Sequence, residues 1–414
     1  MAKRGWRGAR VAGLAVMLSW FCTSGSSDAQ TAPSPTTDTP AGYLVFPKIV
    51  VDTLGVCPDG SDCSRDGTCA NAQPCEKTDT VIQLTNVAGY ARSVHCSYVD
   101  GSEWRVRNGG LDLTPKQPAA WNASTGVDVR GTGAKKLPPL GPRFTGELKC
   151  VQSDPQDVAV PTRAHDLNGK ATIIRVAGGP SGRVDASSYN AIGFRPKEVS
   201  PKEPPDIMLS SLKCQGGTNA GGACTRPGSS SDPACPGGTC GVTMCLGATA
   251  NSRECATANY GGCATILILN HFFDQEVSQP FTTTRLTLVP CSEDLPLDPA
   301  VLPPSTVVQL LVFNEFEQRL SSSMRLNCYR EVQLSDIDSP GAHRFSMFNY
   351  AVQGTLVGQT RMRPVLGPDT TTGHGVLAVA EEFHGSQSAA FNLNEQGSDE
   401  LRNKGDFVRY VPSF

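Results

Sequence analysis

The sequence lacks several features that would indicate common functions. Beyond its N-terminus it has no stretch of about 20 uncharged apolar residues, so no membrane-spanning segment is expected in the mature chain. Its 36 basic and 39 acidic residues give a formal net charge of −3 without a basic stripe, so nucleic acid is not an expected partner. No segment of useful length has a helical period, which argues against an α/β fold.

Motifs for catalysis and metal binding are also missing. The sequence contains no G-x-S-x-G, no H-E-x-x-H and no pair of cysteines separated by two residues. Its six histidines are scattered along the chain. These absences favour a protein that is not an enzyme and has no cofactor. They are modest evidence, because catalytic residues can converge from distant loops.

Sixteen cysteines behind an export signal are the most informative feature that is present. Residues 1–10 are basic, 11–22 are apolar, and a small-residue stretch follows with Ser27-Asp28-Ala29 as the cleavage site. This order predicts a signal peptide over 1–29 and a protein that is secreted, periplasmic or on the cell surface. Cysteines at this density in an exported chain predict a disulfide framework.

The rest of the sequence is typical of an all-β protein. Gly and Pro, 42 and 31 of the 414 residues, separate short apolar runs. In 93–99 and 144–151 apolar and polar residues alternate, as in half-buried antiparallel strands. We predict two Ig-like antiparallel β-sandwich domains with disulfide-stapled, Gly-rich inserts. TVVQLLVF (306–313) echoes TVIQLT (80–85), which leaves open whether the two domains are related.

The predicted organisation places two cysteine-rich inserts around these sandwiches. The inserts are too polar to form a core, so their disulfides must supply their order. The predicted parts are a signal peptide (1–29), a Pro/Ser/Thr-rich linker (30–42), sandwich 1 (43–200) with a Cys-rich insert (57–75), a linker with a second Cys-rich insert (201–263), and sandwich 2 (264–414).

The cysteines are expected to form two kinds of bridge. Cys96 should pair with Cys150, as a buried bridge between facing strands, and Cys291 with Cys328. The cysteines of the first insert should pair among themselves; they are Cys57, Cys63, Cys69 and Cys75. Seven cysteines remain, so one of them is left unpaired or bridges to another chain. These seven are Cys214, Cys224, Cys235, Cys240, Cys245, Cys255 and Cys263.

Nine phrases of the sequence belong together as a set. They are FPKIVVD (46–52), DTVIQLTN (79–86), HCSYV (95–99), LTPKQPAAW (113–121), FTGELKCV (144–151), LNGKATI (167–173), YNAIG (189–193), LTLVPCSEDL (286–295) and VFNEFEQRLS (312–321). Together they resemble a family of functionally uncharacterised exported proteins of Gram-negative bacteria. The resemblance covers most of the mature chain and implies export, but it brings no activity, ligand or catalytic residue. The sequence departs from the family in its cysteine inserts, above all 57–75, which separates the first two phrases.

Two groups of acidic residues are candidates for function. Asp59, Asp62 and Asp66 lie in one glycine-containing loop and are candidate ligands of a structural calcium ion. Their spacing is not that of an EF-hand, and disulfides alone would explain an ordered loop. Glu315 and Glu317 have the spacing to share one face of a strand as paired carboxylates, although exposed acids are common there.

Histidine and tryptophan residues supply two further candidates. His374 and His384 flank the acidic pair 381–382 and form either a metal cluster or the solvated end of a strand. Trp104 and Trp121 are candidates for a platform on which sugars stack. The structural alternative for Trp121 is that it caps the core of the sandwich.

The sequence therefore favours an exported, non-enzymatic β-sandwich protein with a structural or binding role at or outside the cell surface. Its expected partner is an envelope or extracellular protein or a polysaccharide. One alternative is a secreted carbohydrate-active or other hydrolytic enzyme whose site is assembled from loops. Another is a ligand-binding module that calcium stabilises at the first insert.

Overall fold

The computed structural model of the chain consists almost entirely of antiparallel β-strands, which confirms the predicted all-β, sandwich-like class. The predicted Ig-like topology and the domain boundaries stay predictions. The signal peptide and most of the first linker lie outside the described residues. These are 39–57, 61–64, 69, 75–103, 105–153, 164–177, 183–194, 266–275, 281–290, 305–365, 376–385 and 387–396, with short segments between 207 and 260.

The first nine strands form one sheet, called sheet I. They are β1 (Tyr43–Val56), β2 (Glu76–Asn86), β3 (Arg92–Asp100), β4 (Val106–Leu113), β5 (Pro118–Asn122), β6 (Arg143–Ser153), β7 (Leu167–Ala177), β8 (Val184–Asn190) and β9 (Ile192–Phe194). Their order is β4-β3-β6-β1-β2-β7-β8, with β5 paired to β2 and β9 paired to β1.

Sheet I folds over its own hydrophobic core. Alternation places Cys96 and Tyr98 of β3 in this core, as the sequence predicted. The prediction that these strands are half-buried was wrong, because Ser97 of β3 and Glu147 and Lys149 of β6, on the opposite face, are buried as well. Trp121 of β5 enters the same core and donates a hydrogen bond from Nε1 to Tyr98 Oη at 2.8 Å. Because β3 and β5 lie far apart in the strand order, this contact shows that the sheet curls into two layers. Trp121 is fully buried, so it is a core residue and no platform for sugars.

Five short strands follow between 207 and 260. They are β10 (Ile207–Leu209), β11 (Lys213–Gln215), β12 (Thr239–Gly241), β13 (Met244–Leu246) and β14 (Ala258–Tyr260). They form two small sheets, in the orders β13-β10-β14 and β11-β12. Cys214 of β11 lies opposite Cys240 of β12 in the register.

The remaining strands form two larger sheets. They are β15 (Ile266–Phe272), β16 (Thr282–Pro290), β17 (Ser305–Asn314), β18 (Arg319–Asn327), β19 (Arg330–Gln333), β20 (Val357–Val365), β21 (Val376–His384), β22 (Gln387–Asn392) and β23 (Asn394–Gln396). Sheet II has the order β18-β17-β20-β15-β23, and sheet III has the order β19-β16-β21-β22. Two short 3₁₀ helices (Leu334–Asp336 and His343–Phe345) and helix α1 (Tyr350–Gln353) precede β20. No described helix is long and apolar enough to cross a membrane.

Sheet III is packed on both of its faces. Ala378 and Ala380 of β21 belong to the core that sheets II and III share, while Val379 belongs to the core of sheet I. Glu381, on the same face as Val379, pairs with Lys48 of β1. Packing on both faces explains why six consecutive residues of β21, 376–381, are buried and five of them apolar.

The described cysteines form the expected bridges in the first insert and in sheet I. Cys57 pairs with Cys69, Cys63 with Cys75, and Cys96 with Cys150. The expectation of facing strands was wrong for the last bridge. Cys96 and Cys150 lie opposite each other on the neighbouring strands β3 and β6 of one sheet. Cys235 is also disulfide-bonded, whereas Cys224, Cys255, Cys263 and Cys291 lie outside the described residues.

The predicted Cys291–Cys328 bridge was wrong, because Cys328 is a free cysteine. In the sequence, Met324, Leu326 and Cys328 alternate like one face of a strand, which assigned Cys328 to the strand that is now β18. The strand ends at Asn327, and Cys328 adopts a left-handed conformation with φ of 56°. Its side chain therefore leaves the face of β18 and packs against Val99 of sheet I. Burial, with the nearby carboxylate of Glu147, raises the pKa of the Cys328 thiol to about 12.

We expect the Cys328 thiol to react with N-ethylmaleimide only after unfolding, because it is buried and protonated. Peptide mass mapping should find Cys328 unlabelled after native treatment and fully labelled after denaturation without reductant. Labelling under native conditions, or a disulfide-linked Cys328 peptide, would contradict this arrangement. Cys328→Ser is the control, since it removes that adduct alone.

His271 should make the fold sensitive to acid. Its ring is buried on β15, with Nε2 2.8 Å from Thr360 Oγ1, and burial lowers the pKa of His271 to about 4. The unfolded chain binds this proton at about pH 6.5, so the free energy of unfolding should fall as pH drops from 6.5 to 4. The loss amounts to about 3 kcal/mol.

Urea titrations across this pH range test the prediction. The slope of the free energy of unfolding against pH should be smaller in His271→Gln than in the wild type. It should be unchanged in His384→Gln, which replaces an exposed histidine. An unchanged slope in His271→Gln would show that this ring does not titrate on unfolding.

Candidate functional site

A groove of about 520 Å³ with both polar and apolar lining residues lies on the outer face of sheet I, where β5, β2, β7 and β8 run side by side. The register sets one residue from each strand in a row across its floor. Gln83 of β2 lies between Ala120 of β5 and Lys170 of β7, and Lys170 lies next to Asn190 of β8. Residues opposite each other in antiparallel strands share a face, so these side chains point into one groove.

A second row lies beside the first. Thr85 of β2 is flanked by Pro118 of β5 and Asn168 of β7. The strand period of two produces this arrangement. Gln83 and Thr85 of β2 point outward, whereas their neighbours Ile82 and Leu84 point inward and are buried in the core. The polar floor is thus the outer half of the same alternation that builds the core.

One wall of the groove is formed by the connection between β5 and β6. The chain turns back at Gly126, where φ is +68° and a Cβ atom would collide with the carbonyl oxygen of Leu137. Glycine is required there, since other residues rarely adopt this conformation and have no space. After the turn, the backbone of Asp128 forms an isolated antiparallel β-bridge with Trp121 of β5. Arg130 then lies at the rim of the groove.

Asp128 is the one carboxylate among the lining residues, and it is already paired. Arg130 donates from Nη2 at 2.7 Å and from Nε at 3.0 Å, and Lys136 Nζ lies 3.8 Å away. The hydrogen bonds from Arg130 hold the pKa of Asp128 well below its usual range. A carboxyl group that stays ionised and ion-paired is unsuited to the role of general acid.

The groove is therefore equipped for hydrogen bonding and charge recognition. The amides of Gln83, Asn168 and Asn190 offer both donors and acceptors, and Lys170 adds an exposed ammonium group. None of the described lining residues is aromatic, so stacking on a ring is not available there. The arrangement can bind a hydrophilic ligand but assembles no pair of carboxylates.

A second depression, of about 490 Å³, lies along the edge strand β19. Its acidic residues have partners within the protein. Glu331 Oε1 is 2.8 Å from Lys48 Nζ, and Asp336 Oδ1 is 2.6 Å from His343 Nε2. These charges stabilise the fold, so this depression is the weaker candidate.

Four charged side chains form a buried cluster where sheets I and III meet. Glu381 lies 2.5 Å from Lys48 and 2.6 Å from Arg175, and Lys48 also contacts Glu331. Burial raises the pKa of Glu381, but the charges of Lys48 and Arg175 outweigh burial and hold the pKa at about 2. Lys48 and Glu381 are each 1% exposed, so the cluster joins the two sheets and is closed to a ligand.

The structure does not support the pairing of Glu315 with Glu317 on a strand face. Strand β17 ends at Asn314, whose Oδ1 accepts hydrogen bonds from the backbone N–H groups of Phe316 and Gln318. This turn chemistry takes both acids out of the strand. Glu315 accepts a hydrogen bond from Thr355, and Glu317 is exposed with φ of 59°.

The calcium candidates are only partly described. Asp62 forms an ion pair with Arg143 of β6, and the hydrogen bond from Arg143 lowers the pKa of Asp62. An arginine partner occupies the carboxylate that calcium would need. Asp59 and Asp66 lie outside the described residues. Across the described part of the chain, the one group with metal-ligand geometry is the four cysteines of the first insert, which form two disulfides.

The acidic residues of the candidate histidine cluster near the C-terminus lie on opposite faces of β21. Glu381 points into the buried ion cluster, whereas Glu382 Oε2 lies 3.6 Å from His384 Nε2. Consecutive residues of a strand point to opposite faces, so Glu381 and Glu382 cannot share a ligand there. His374 and Trp104 lie outside the described residues.

Sequence reasoning missed the groove. A signal was present, because Gln83 and Thr85 in TVIQLTN and Asn168 and Lys170 in LNGK occupy the polar positions of alternating strands. In the sequence alone, these positions were assigned no role. Only the register of β5, β2, β7 and β8 shows that they lie side by side.

These features define an all-β, sandwich-like protein with a surface groove, and comparisons with known proteins add little to this description. No protein-family model and no curated protein matches the chain. The crystal structure of Thermotoga maritima 1070 has a TM-score of 0.21 at 10% sequence identity, over 39% of this chain and 98% of that chain. A candidate secreted protein from Parabacteroides distasonis ATCC 8503 has a TM-score of 0.15 at 9% identity, over 88% and 93%. TM-scores this low carry no argument about fold or function.

Proposed function

We propose that this chain is an exported, non-enzymatic β-sandwich protein that binds a partner at or outside the cell surface. Its binding site is the groove on the outer face of β5, β2, β7 and β8. The observation that carries the proposal is the convergence of Gln83, Asn168, Lys170 and Asn190 on one groove. Asp128, the one carboxylate among the described residues that line it, is ion-paired. Concave sites with a few convergent polar groups are the usual binding sites of proteins.

Export is supported by the predicted signal peptide over 1–29 and by the resemblance to exported proteins of Gram-negative bacteria. The disulfides of the first insert and of sheet I agree with an oxidising compartment. A non-enzymatic role is favoured because the candidate acidic residues either have other partners within the protein or do not lie together. Glu315 bonds to Thr355, and Glu381 belongs to the ion cluster between sheets.

A panel of polysaccharides and peptides tests this proposal. The purified protein should hydrolyse none of them and should bind at least one. The double variant Gln83→Ala/Asn168→Ala should weaken that binding about tenfold or more, since two hydrogen-bonding amides are lost. The control Asn270→Ala removes an exposed amide from sheet II and should leave binding unchanged.

Two results would overturn the proposal. Hydrolysis of a panel member by the pure protein, abolished in Glu315→Gln or Glu317→Gln, would establish an enzyme. Binding that is equal in the double variant and in the wild type would show that the groove is not the binding site.

A further inference from the structure

We infer that the groove binds a polysaccharide that carries carboxylate groups. This inference rests on the proposed function, because it names the ligand of the same groove. Three properties of the lining residues support it: their charge, the spacing of their polar groups, and the type of side chain that is missing.

The charge of the groove is positive, although the chain as a whole has a net charge of −3. Lys170 stands in the floor and Arg130 at the rim, and both side chains are exposed. Asp128, the one carboxylate among the described lining residues, is shared by Arg130 and by Lys136, which is not itself a lining residue. Arg130, Lys136 and Lys170 together carry three positive charges against the one negative charge of Asp128, and Lys170 has no part in that ion pair. An anionic ligand complements this surplus, and a carboxylate accepts charge-assisted hydrogen bonds from lysine.

The polar groups of the floor suit a chain of sugar residues. Gln83, Lys170 and Asn190 lie in one row on three neighbouring strands. Neighbouring strands are about 4.8 Å apart, so hydrogen-bonding groups repeat at that interval across the floor. This interval is close to the length of one sugar residue, and each residue offers hydroxyl groups that both donate and accept. Amide side chains complement hydroxyl groups because they also do both.

The described lining residues argue against two other ligands. Neutral sugars are usually held by stacking on aromatic rings, and no aromatic side chain lines this groove. An acidic peptide would be expected to add a strand to an open sheet edge or to place apolar side chains in pockets. Here β2 and β7 each have neighbours on both sides, and the apolar lining consists of Pro118, Ala119, Ala120 and Val129.

Matched polymers provide the test. Binding of polygalacturonate and alginate is measured by isothermal titration calorimetry against fully methyl-esterified polygalacturonate, which keeps the backbone and loses the charge. We expect the wild type to bind at least one of the two acidic polymers about tenfold more tightly than the ester. This preference should shrink as sodium chloride is raised, because exposed charges are screened.

Lys170→Gln should weaken binding of the acidic polymer about tenfold and leave binding of the ester within twofold. The matched control is Lys77→Gln, which changes an exposed lysine of β2 about 20 Å along the strand from Gln83. It should change neither affinity by more than twofold. Both variants should keep the melting temperature of the wild type, since both side chains are exposed.

Other outcomes separate this inference from the proposed function. Equal affinity for the acidic polymers and the ester would show that the ligand need not be acidic. An equal loss of affinity in Lys170→Gln and Lys77→Gln would show the same. In both cases the groove could still bind a neutral polysaccharide, so the proposed function would stand. Tighter binding of poly-glutamate than of any polysaccharide would replace the ligand class by an acidic peptide. Failure of both acidic polymers to bind would also overturn the inference. The proposed function itself would be overturned only by the two results described above: hydrolysis of a panel member, or equal binding by the double variant Gln83→Ala/Asn168→Ala and the wild type.

Discussion

Glu381→Gln is expected to lower the free energy of unfolding by about 3–5 kcal/mol, because it breaks a buried ion cluster while leaving its cations in place. Glu381 is the acceptor that Lys48 and Arg175 share, at 2.5 Å and 2.6 Å. The variant keeps the shape of the side chain but leaves Lys48 with Glu331 alone, inside the contact between sheets I and III. Urea unfolding at pH 7 measures the loss.

The control for this variant is Glu382→Gln. Glu382 is the next residue of β21, points to the other face and lies 3.6 Å from an exposed histidine. A partly exposed pair of this kind contributes little, so the control should cost less than about 1 kcal/mol. Similar losses in both variants would show that the cluster does not join the sheets.

The effect of Glu381→Gln should also depend on pH. Because the folded state holds the pKa of Glu381 at about 2, below its ordinary value of 4.5, the stabilisation by its charge is complete above pH 4.5. It should be lost as pH falls from 4.5 to 2. The difference between the wild type and Glu381→Gln should therefore narrow over this range, and a constant difference would contradict the ion-pair explanation.

Asp274→Ala is expected to destabilise the fold by a similar amount, about 3–5 kcal/mol. The Asp274 carboxylate is fully buried and accepts hydrogen bonds from the backbone N–H groups of Thr284 and Ser335, from Ser335 Oγ and from Gln333 Nε2. Alanine would leave the backbone N–H groups of Thr284 and Ser335 and the hydroxyl of Ser335 buried without this acceptor, while Gln333 Nε2 keeps its hydrogen bond to Ser335 Oγ. Each unsatisfied buried group costs about 1–3 kcal/mol. Relaxation and water entry keep the total below that sum.

Asp338→Ala is the matched control for Asp274→Ala. Asp338 also accepts hydrogen bonds, from Ser346 Oγ and from the backbone N–H of Met347, but its side chain is exposed and water can replace it. We expect a loss of about 1 kcal/mol or less in thermal or urea unfolding. If Asp274→Ala cost no more than Asp338→Ala, burial of the donors would not be the source of its effect.

Alternation made the strands and much of the core predictable. The alternating apolar residues of 93–99 and 144–151 belong to the core of sheet I, and Cys96 and Cys150 form the expected bridge. These residues are Val94, Cys96, Tyr98, Phe144, Leu148 and Cys150. Trp121 is buried, which was the structural alternative for this residue. These predictions succeeded because each depends on the residues of one strand, and the period of two is a local property of extended backbone.

The candidate sites were harder to predict because they depend on where strands end and which strands are neighbours. Cys328 was assigned to β18, but the strand ends one residue earlier, so its thiol packs on sheet I. Glu315 and Glu317 were placed on β17, but the side chain of Asn314 ends that strand. The floor of the groove is formed by residues from four strands, and the two that lie farthest apart in the sequence, Gln83 and Asn190, are separated by 107 positions.

The sequence by itself determined the all-β class and, through its spacing, the cysteines that close the first insert. Both follow from local patterns, since alternation sets the faces of a strand and a polar insert needs bridges to be ordered. Sixteen cysteines alone could not show that Cys328 is a free thiol. The tertiary structure decided that, together with the groove and the ion cluster of Lys48, Arg175 and Glu381. These features arise where distant strands meet, and the register and layer packing that bring them together are properties of the folded chain.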